Sequence, residues 1–110
     1  LDNRGILDTT LVVAMGEIGR TPKINGGAGR DHWEHCYTVL MAGGGIKENF
    51  VFGASDRHGA YPSRDPVTAT DVVATIYHAL GISAETQLRD NLDRPLALVP
   101  EGNPITGVFA

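Results

Sequence analysis

Thr10-Leu11-Val12-Val13-Ala14-Met15-Gly16-Glu17-Ile18-Gly19-Arg20-Thr21-Pro22 runs from an apolar, β-branched stretch straight into a turn punctuated by glycine and proline. The part up to Met15 has the length and composition of a strand. A second strand-like run, Tyr37-Thr38-Val39-Leu40-Met41-Ala42, follows after a Gly-rich loop from Gly16 to Cys36 that carries Glu17, Arg20, Arg30, Asp31, His32 and His35. In open α/β sheets, ligands bind beyond the carboxyl ends of strands, where loops carry chemistry on a rigid support. Glu17 stands at such an end. If the two strands are parallel neighbours, the loop must double back, which its length, its glycines and Pro22 permit.

Working outward, Thr68-Ala69-Thr70-Asp71 has the spacing of a capping box, with Asp in the usual Glu place. Val72, Val73, Ile76 and Leu80 then recur at helical spacing, and Gly81 is placed as the stop, so one clear helix is expected over Thr68–Leu80. Thr70, Asp71 and Thr75 fall on its other side, and His78 near its C-terminus faces the helix dipole. Asn49-Phe50-Val51-Phe52 reads as a short strand or hairpin arm, and Gly43-Gly44-Gly45 as a tight turn, since no Lys-Ser/Thr follows to make a phosphate-binding loop. Pro95-Leu96-Ala97-Leu98-Val99 reads as a last short strand with a loose tail behind it. This order gives an α/β class in which one helix packs on a few short strands.

The chain's 110 residues suit one small domain, here a single segment spanning 1–110. A net charge of -4 without any block of Lys or Arg argues against a nucleic-acid surface. No apolar run approaches the roughly 18 residues of a membrane span. Cys36 is the sole cysteine, so an internal disulfide is excluded and a free, buried thiol is expected. The opening Leu1-Asp2-Asn3-Arg4-Gly5, and a sheet that one helix leaves uncovered on one face, suggest a fragment completed by another part of a parent protein or by another subunit.

Asp31, His32 and His35, with Glu17 brought close, offer oxygen and imidazole donors of the kind that bind divalent ions. Arg20 and Arg30 suit phosphate or sulfate, because a guanidinium presents paired donors that match an oxyanion. The same residues also admit a structural reading: Asp31 caps a turn, the histidines bond to carbonyls, and Glu17 pairs with Arg20 or Arg30. Asp56 and His58 form a second polar cluster, for which a turn held by an Asx hydrogen bond is the favoured explanation. Trp33 and Tyr61 either line a pocket or serve as packing.

Four motifs, Gly16-Glu17-Ile18-Gly19-Arg20-Thr21-Pro22, Gly29-Arg30-Asp31-His32-Trp33, Met41-Ala42-Gly43-Gly44-Gly45-Ile46-Lys47 and Ala74-Thr75-Ile76-Tyr77-His78-Ala79-Leu80-Gly81-Ile82, occur in order. Together they resemble the C-terminal part of the bacterial sulfatase-like DUF1501 family, from about Asp8 to Val99. The resemblance implies a piece of an alkaline-phosphatase-like α/β sheet domain, whose superfamily hydrolyses sulfate or phosphate esters at a metal centre. It puts Glu17 and His32 at positions of metal ligands, with Asp31 adjacent; His35 is an additional candidate ligand from its residue type and place in the loop alone. Zinc, calcium and manganese are not distinguished. Many superfamily members have Asp-His after the core strand where this chain has Glu17-Ile18, and the nucleophile belongs to an N-terminal half outside this chain.

The expected function is therefore part of a metal-dependent sulfate or phosphate ester hydrolase, inactive as an isolated chain, with Arg20 or Arg30 beside the anion. The alternatives are a non-catalytic binding or assembly protein on a degenerate fold, and a mutase or transferase on the same scaffold. A periplasmic or secreted location follows from the resemblance alone, and exposed sheet surface suggests a homo-oligomer.

Overall fold

The computed structural model describes residues 1–110. Its strands are β1 (Val12–Met15), β2 (Gly19–Arg20), β3 (His32–Trp33), β4 (Val39–Ala42), β5 (Ala54–Ser55), β6 (Pro62–Arg64), β7 (Gln87–Arg89) and β8 (Pro95–Ala97). One α-helix, α1 (Ala69–Ala79), lies between β6 and β7, and short 3-10 turns cover Asp2–Arg4 and Thr106–Val108. The class is mixed α and β.

The expected sheet does not form as one layer. The strands make separate two-stranded ribbons, β1 with β4, β2 with β3, β5 with β6 and β7 with β8. All are antiparallel, so β1 and β4 meet with Val12 opposite Ala42 and Met15 opposite Val39. The Gly16–Cys36 loop thus closes a long hairpin, and both of its ends lie at one end of the ribbon. Phe50, Val51 and Phe52 are exposed and join no ladder. Asn49 (φ 52°) and Gly53 (φ 74°) bracket that run in left-handed backbone, which stops a strand on both sides. The three glycines at 43–45 all have positive φ, and Ile46 N–H closes the turn onto Gly43 O at 3.0 Å.

The helix follows its cap and stop signals, but its buried face departs from the expected one, since Thr75, read as lying on the polar side, is fully buried. Thr68 is the N-cap, its hydroxyl accepts from Asp71 N–H at 3.1 Å, and Asp71 accepts in return from Thr68 N–H at 2.9 Å. Gly81 (φ 75°) takes the left-handed position after Leu80. The buried face is Val72, Ala74 and Thr75, whereas Val73 and Leu80 are exposed. Thr75 is fully buried because its hydroxyl is satisfied twice: it donates to Asp71 O at 2.6 Å and accepts from Ile105 N–H at 2.9 Å.

That second bond corrects the expectation of a loose tail. Asn103 N–H donates to Asp71 Oδ1 at 2.9 Å, and Lys47 N–H donates to Val108 O at 2.8 Å. Ile46 bridges Phe109, and the Phe109 ring lies 5.2 Å from the His78 imidazole. The helix is anchored by this C-terminal segment, not seated on a sheet. Its cover also relies on Gly102, where a Cβ would strike Thr70 O and Val99 Cγ1 at 2.6 Å each.

The core is small: Gly19, Val72, Ala74, Thr75 and Val99 are the buried residues. Cys36 is a free thiol but half-buried.

Candidate functional site

The loop after β1 is built by its own polar groups. In the β2–β3 ladder, Gly19 pairs with Trp33 and Arg20 with His32. Beyond it, Thr21 N–H donates to Asp31 O at 3.0 Å, and the Thr21 hydroxyl accepts from Asp31 N–H at 3.1 Å. Asn25 then organises the tip. Its Oδ1 accepts from Gly27 and Gly29 N–H, both at 3.0 Å, and its Nδ2 donates to Asp31 Oδ1 at 2.9 Å. The Arg30 guanidinium closes the clasp, with Nη1 donating to Thr21 O at 2.7 Å and to Pro22 O.

These bonds divide the residues singled out in the sequence. Arg30 is occupied in bracing its own loop, whereas Arg20 makes one long contact, Nη1 to Arg30 O at 3.5 Å. The Arg20 fork therefore keeps nearly all its donors free. Residues directly opposite in an antiparallel ladder project to the same face with neighbouring Cβ atoms, which sets Arg20 beside His32. Asp31 is oriented by Asn25. Glu17 is exposed and makes neither a hydrogen bond nor an ion pair, so the pairing of Glu17 with Arg20 or Arg30 does not form. His35 joins an aromatic cluster. No three of the His, Cys, Asp and Glu side chains converge as a metal-binding group.

Asn25 is the residue organising the candidate site that sequence reasoning missed. Its signal was present, since Asn followed by Gly26-Gly27-Ala28-Gly29 invites an Asx turn, and Ala28 does take φ 58°.

A second loop comes against the first. Trp33 Nε1–H donates to Ala60 O at 2.6 Å, and the Trp33, His35 and Tyr61 rings meet with centroids 4.6, 5.5 and 5.1 Å apart. In that second loop Asp56 Oδ1 accepts from His58 N–H at 3.0 Å and Ala60 N–H at 2.9 Å, an Asx-type turn that accounts for Asp56. The Ala60 bond, foremost, holds the Asp56 carboxyl below the usual carboxylate range. Arg57 Nε–H donates to His58 Nε2 at 2.8 Å, so His58 faces its neighbour as an acceptor. Beside the rings lies an open depression of about 210 Å³ lined by Ile18, His32, Trp33, Glu34 and His35.

Taken together, the loop offers one free guanidinium, an imidazole beside it, a braced carboxylate and an aromatic flank. Such a face suits recognition of an oxyanion on a ring-bearing group. In comparisons with known proteins, the family model described as "Protein of unknown function (DUF1501)" matches residues 1–109. No curated protein and no solved structure matches the chain.

Proposed function

The chain belongs to the DUF1501 family, and from that membership we propose that it forms part of a metal-dependent sulfate or phosphate ester hydrolase on an alkaline-phosphatase-like fold, in an exported protein. The observation that carries the reading is the Arg20–His32 pair across the β2–β3 ladder, with the guanidinium left free by the clasp that occupies Arg30. A free fork binds two oxyanion oxygens at once and offsets their charge, and it does so best when its backbone is fixed beforehand. The ladder, the Thr21–Asp31 bonds and Asn25 supply that fixing.

The metal part of the proposal rests on donor chemistry. Glu17, Asp31 and His32 supply oxygen and nitrogen, and the imidazole favours zinc or manganese over calcium. These donors do not converge as a trio, so an ion held by the loop would complete its shell with water. The test is the metal content of the purified chain after loading with zinc or manganese and dialysis, read by elemental mass spectrometry. Retained ion that falls several-fold in both His32→Ala and Asp31→Asn is the expected result. No retained ion in the wild type, or equal retention in the variants, contradicts a metal role for this loop.

The accessible surface favours a second reading, a non-catalytic assembly role. It measures 8143 Å², whereas a folded chain of this mass scales to about 5900 Å². Leu40, Val51, Leu88, Leu92 and Leu96 are each more than half exposed, and surface of this kind marks sites of contact. Self-association unaffected by Arg20→Gln and His32→Ala, together with no retained metal, would select this reading over hydrolysis.

A further inference from the structure

We infer that the corner formed by Trp33, His35 and Tyr61 is a binding platform for a six-membered polyhydroxylated ring, the face of a sugar. It deepens the ester-hydrolase reading and rests on it for one step only, that the ring is the alcohol half of the ester.

The cluster is not core. Tyr61 is 49% exposed, His35 is exposed and Trp33 is half-buried, so apolar ring surface remains open to solvent. The loops do not need all three rings to hold together, since the bond from Trp33 Nε1 to Ala60 O already ties them. Aromatic rings with a wet flank serve ligands that have one apolar face and polar edges. The polar edge is present: His32, Glu34 and His35 line the adjoining depression with Trp33. Its volume, about 210 Å³, equals roughly seven waters' share of the liquid, room for one ring with its hydroxyls.

The angles between the rings choose the class of ligand. Trp33 stands at 76° to His35 and 69° to Tyr61. A planar aromatic ligand is best held between parallel plates, and none of the three pairs forms such a slot. A corner instead presents one face and one edge, which suits a puckered ring whose C–H groups meet the face and whose hydroxyls reach carboxylate and imidazole. His32 belongs both to this depression and to the pair with Arg20. A ring seated at the corner would thus direct a substituent toward the guanidinium.

Trp33 is the single tryptophan, so its indole N–H gives one resolved NMR signal that reports the site directly. The whole chain would be titrated with a panel of methyl hexopyranosides, with sorbitol as the acyclic control, with phenol as the planar ring, and separately with inorganic sulfate. The expected result is a saturable shift with at least one glycoside, weaker with sorbitol, retained in Tyr61→Phe and about tenfold weaker in affinity in Tyr61→Ala. Absence of a shift with every glycoside, saturation by phenol alone, or unchanged affinity in Tyr61→Ala would overturn the inference. The sulfate arm keeps the two claims apart. Glycoside binding without any sulfate response at Arg20 counts against the ester reading and leaves the ring site standing, and the reverse pattern does the opposite.

Discussion

Gly19 shows how closely single residues set this site. A Cβ there would land on the carbonyl oxygens of Trp33 and Cys36, with Tyr37 Cβ 3.1 Å away, and neither oxygen belongs to a flexible side chain. Gly19→Ala is therefore expected to push β2 off β3 and to cost about 1–3 kcal/mol, measured by urea unfolding. A loss of stability within error of zero would show that the β2–β3 ladder does not pack as described. The same scale separates the two arginines. From sequence they were equivalent, each following a glycine and lying within three residues of a carboxylate, Glu17 or Asp31. The difference came from the backbone, because the turn at Thr21-Pro22 aims two carbonyls at Arg30 and none at Arg20. Asp31 and His32 stood out in the sequence by residue type, but that Asn25 holds the Asp31 carboxylate was not legible, since it depends on a turn conformation that composition only permits.

Among the elements, α1 was the most legible. Its capping box and Gly81 are local signals, each acting within one turn of the helix, whereas the apolar spacing misplaced the buried face, which takes in Thr75 and leaves out Val73 and Leu80. Strand pairing was less so. β2, β3 and β5 are two residues long, too short for alternation to register, and the antiparallel sense of β1 and β4 is settled by a hairpin across the whole Gly16–Cys36 loop. The tail escaped notice because backbone N–H groups hold it, at Asp71 and Thr75, with no side-chain pattern to announce it.

Asp71 joins these parts. It closes the cap through Thr68 and holds the tail through Asn103. Donation from the Thr68 hydroxyl is the leading cause that lowers its pKa, with the Asn103 and Thr68 N–H bonds adding to it against partial burial. A depressed native pKa means that the unfolded chain takes up the proton more readily. The stabilisation is complete above the ordinary carboxylate value, near pH 4, and is lost as pH falls through the lowered native value. Asp56 and Asp90 shift in the same direction, so the Asp71 share is the difference between wild type and Asp71→Asn. Acid titration followed by helical circular dichroism should show a shallower loss in Asp71→Asn, alongside lower stability at neutral pH. Parallel curves would contradict the account of the cap and tail.

For the whole molecule, the radius of gyration of 16.8 Å exceeds the roughly 13 Å of a compact chain of this length. Two-stranded ribbons are marginal alone, and the apolar faces they leave open are consistent with contacts to other protein surface. The mixed class was legible from the order of apolar runs; the lack of a continuous sheet was not, because each run is locally strand-like whether or not a neighbour lies beside it. What this open architecture does fix is one braced loop with one free guanidinium. Binding of inorganic sulfate to the full chain, followed by the side-chain NMR signal of Arg20 in wild type, Arg20→Gln and Arg30→Gln, tests that claim most directly. The account predicts saturable binding that Arg20→Gln abolishes without moving the unfolding midpoint, while Arg30→Gln lowers the midpoint by loosening the clasp. Sulfate binding that is absent, or that survives Arg20→Gln and is lost only with Arg30, would contradict it.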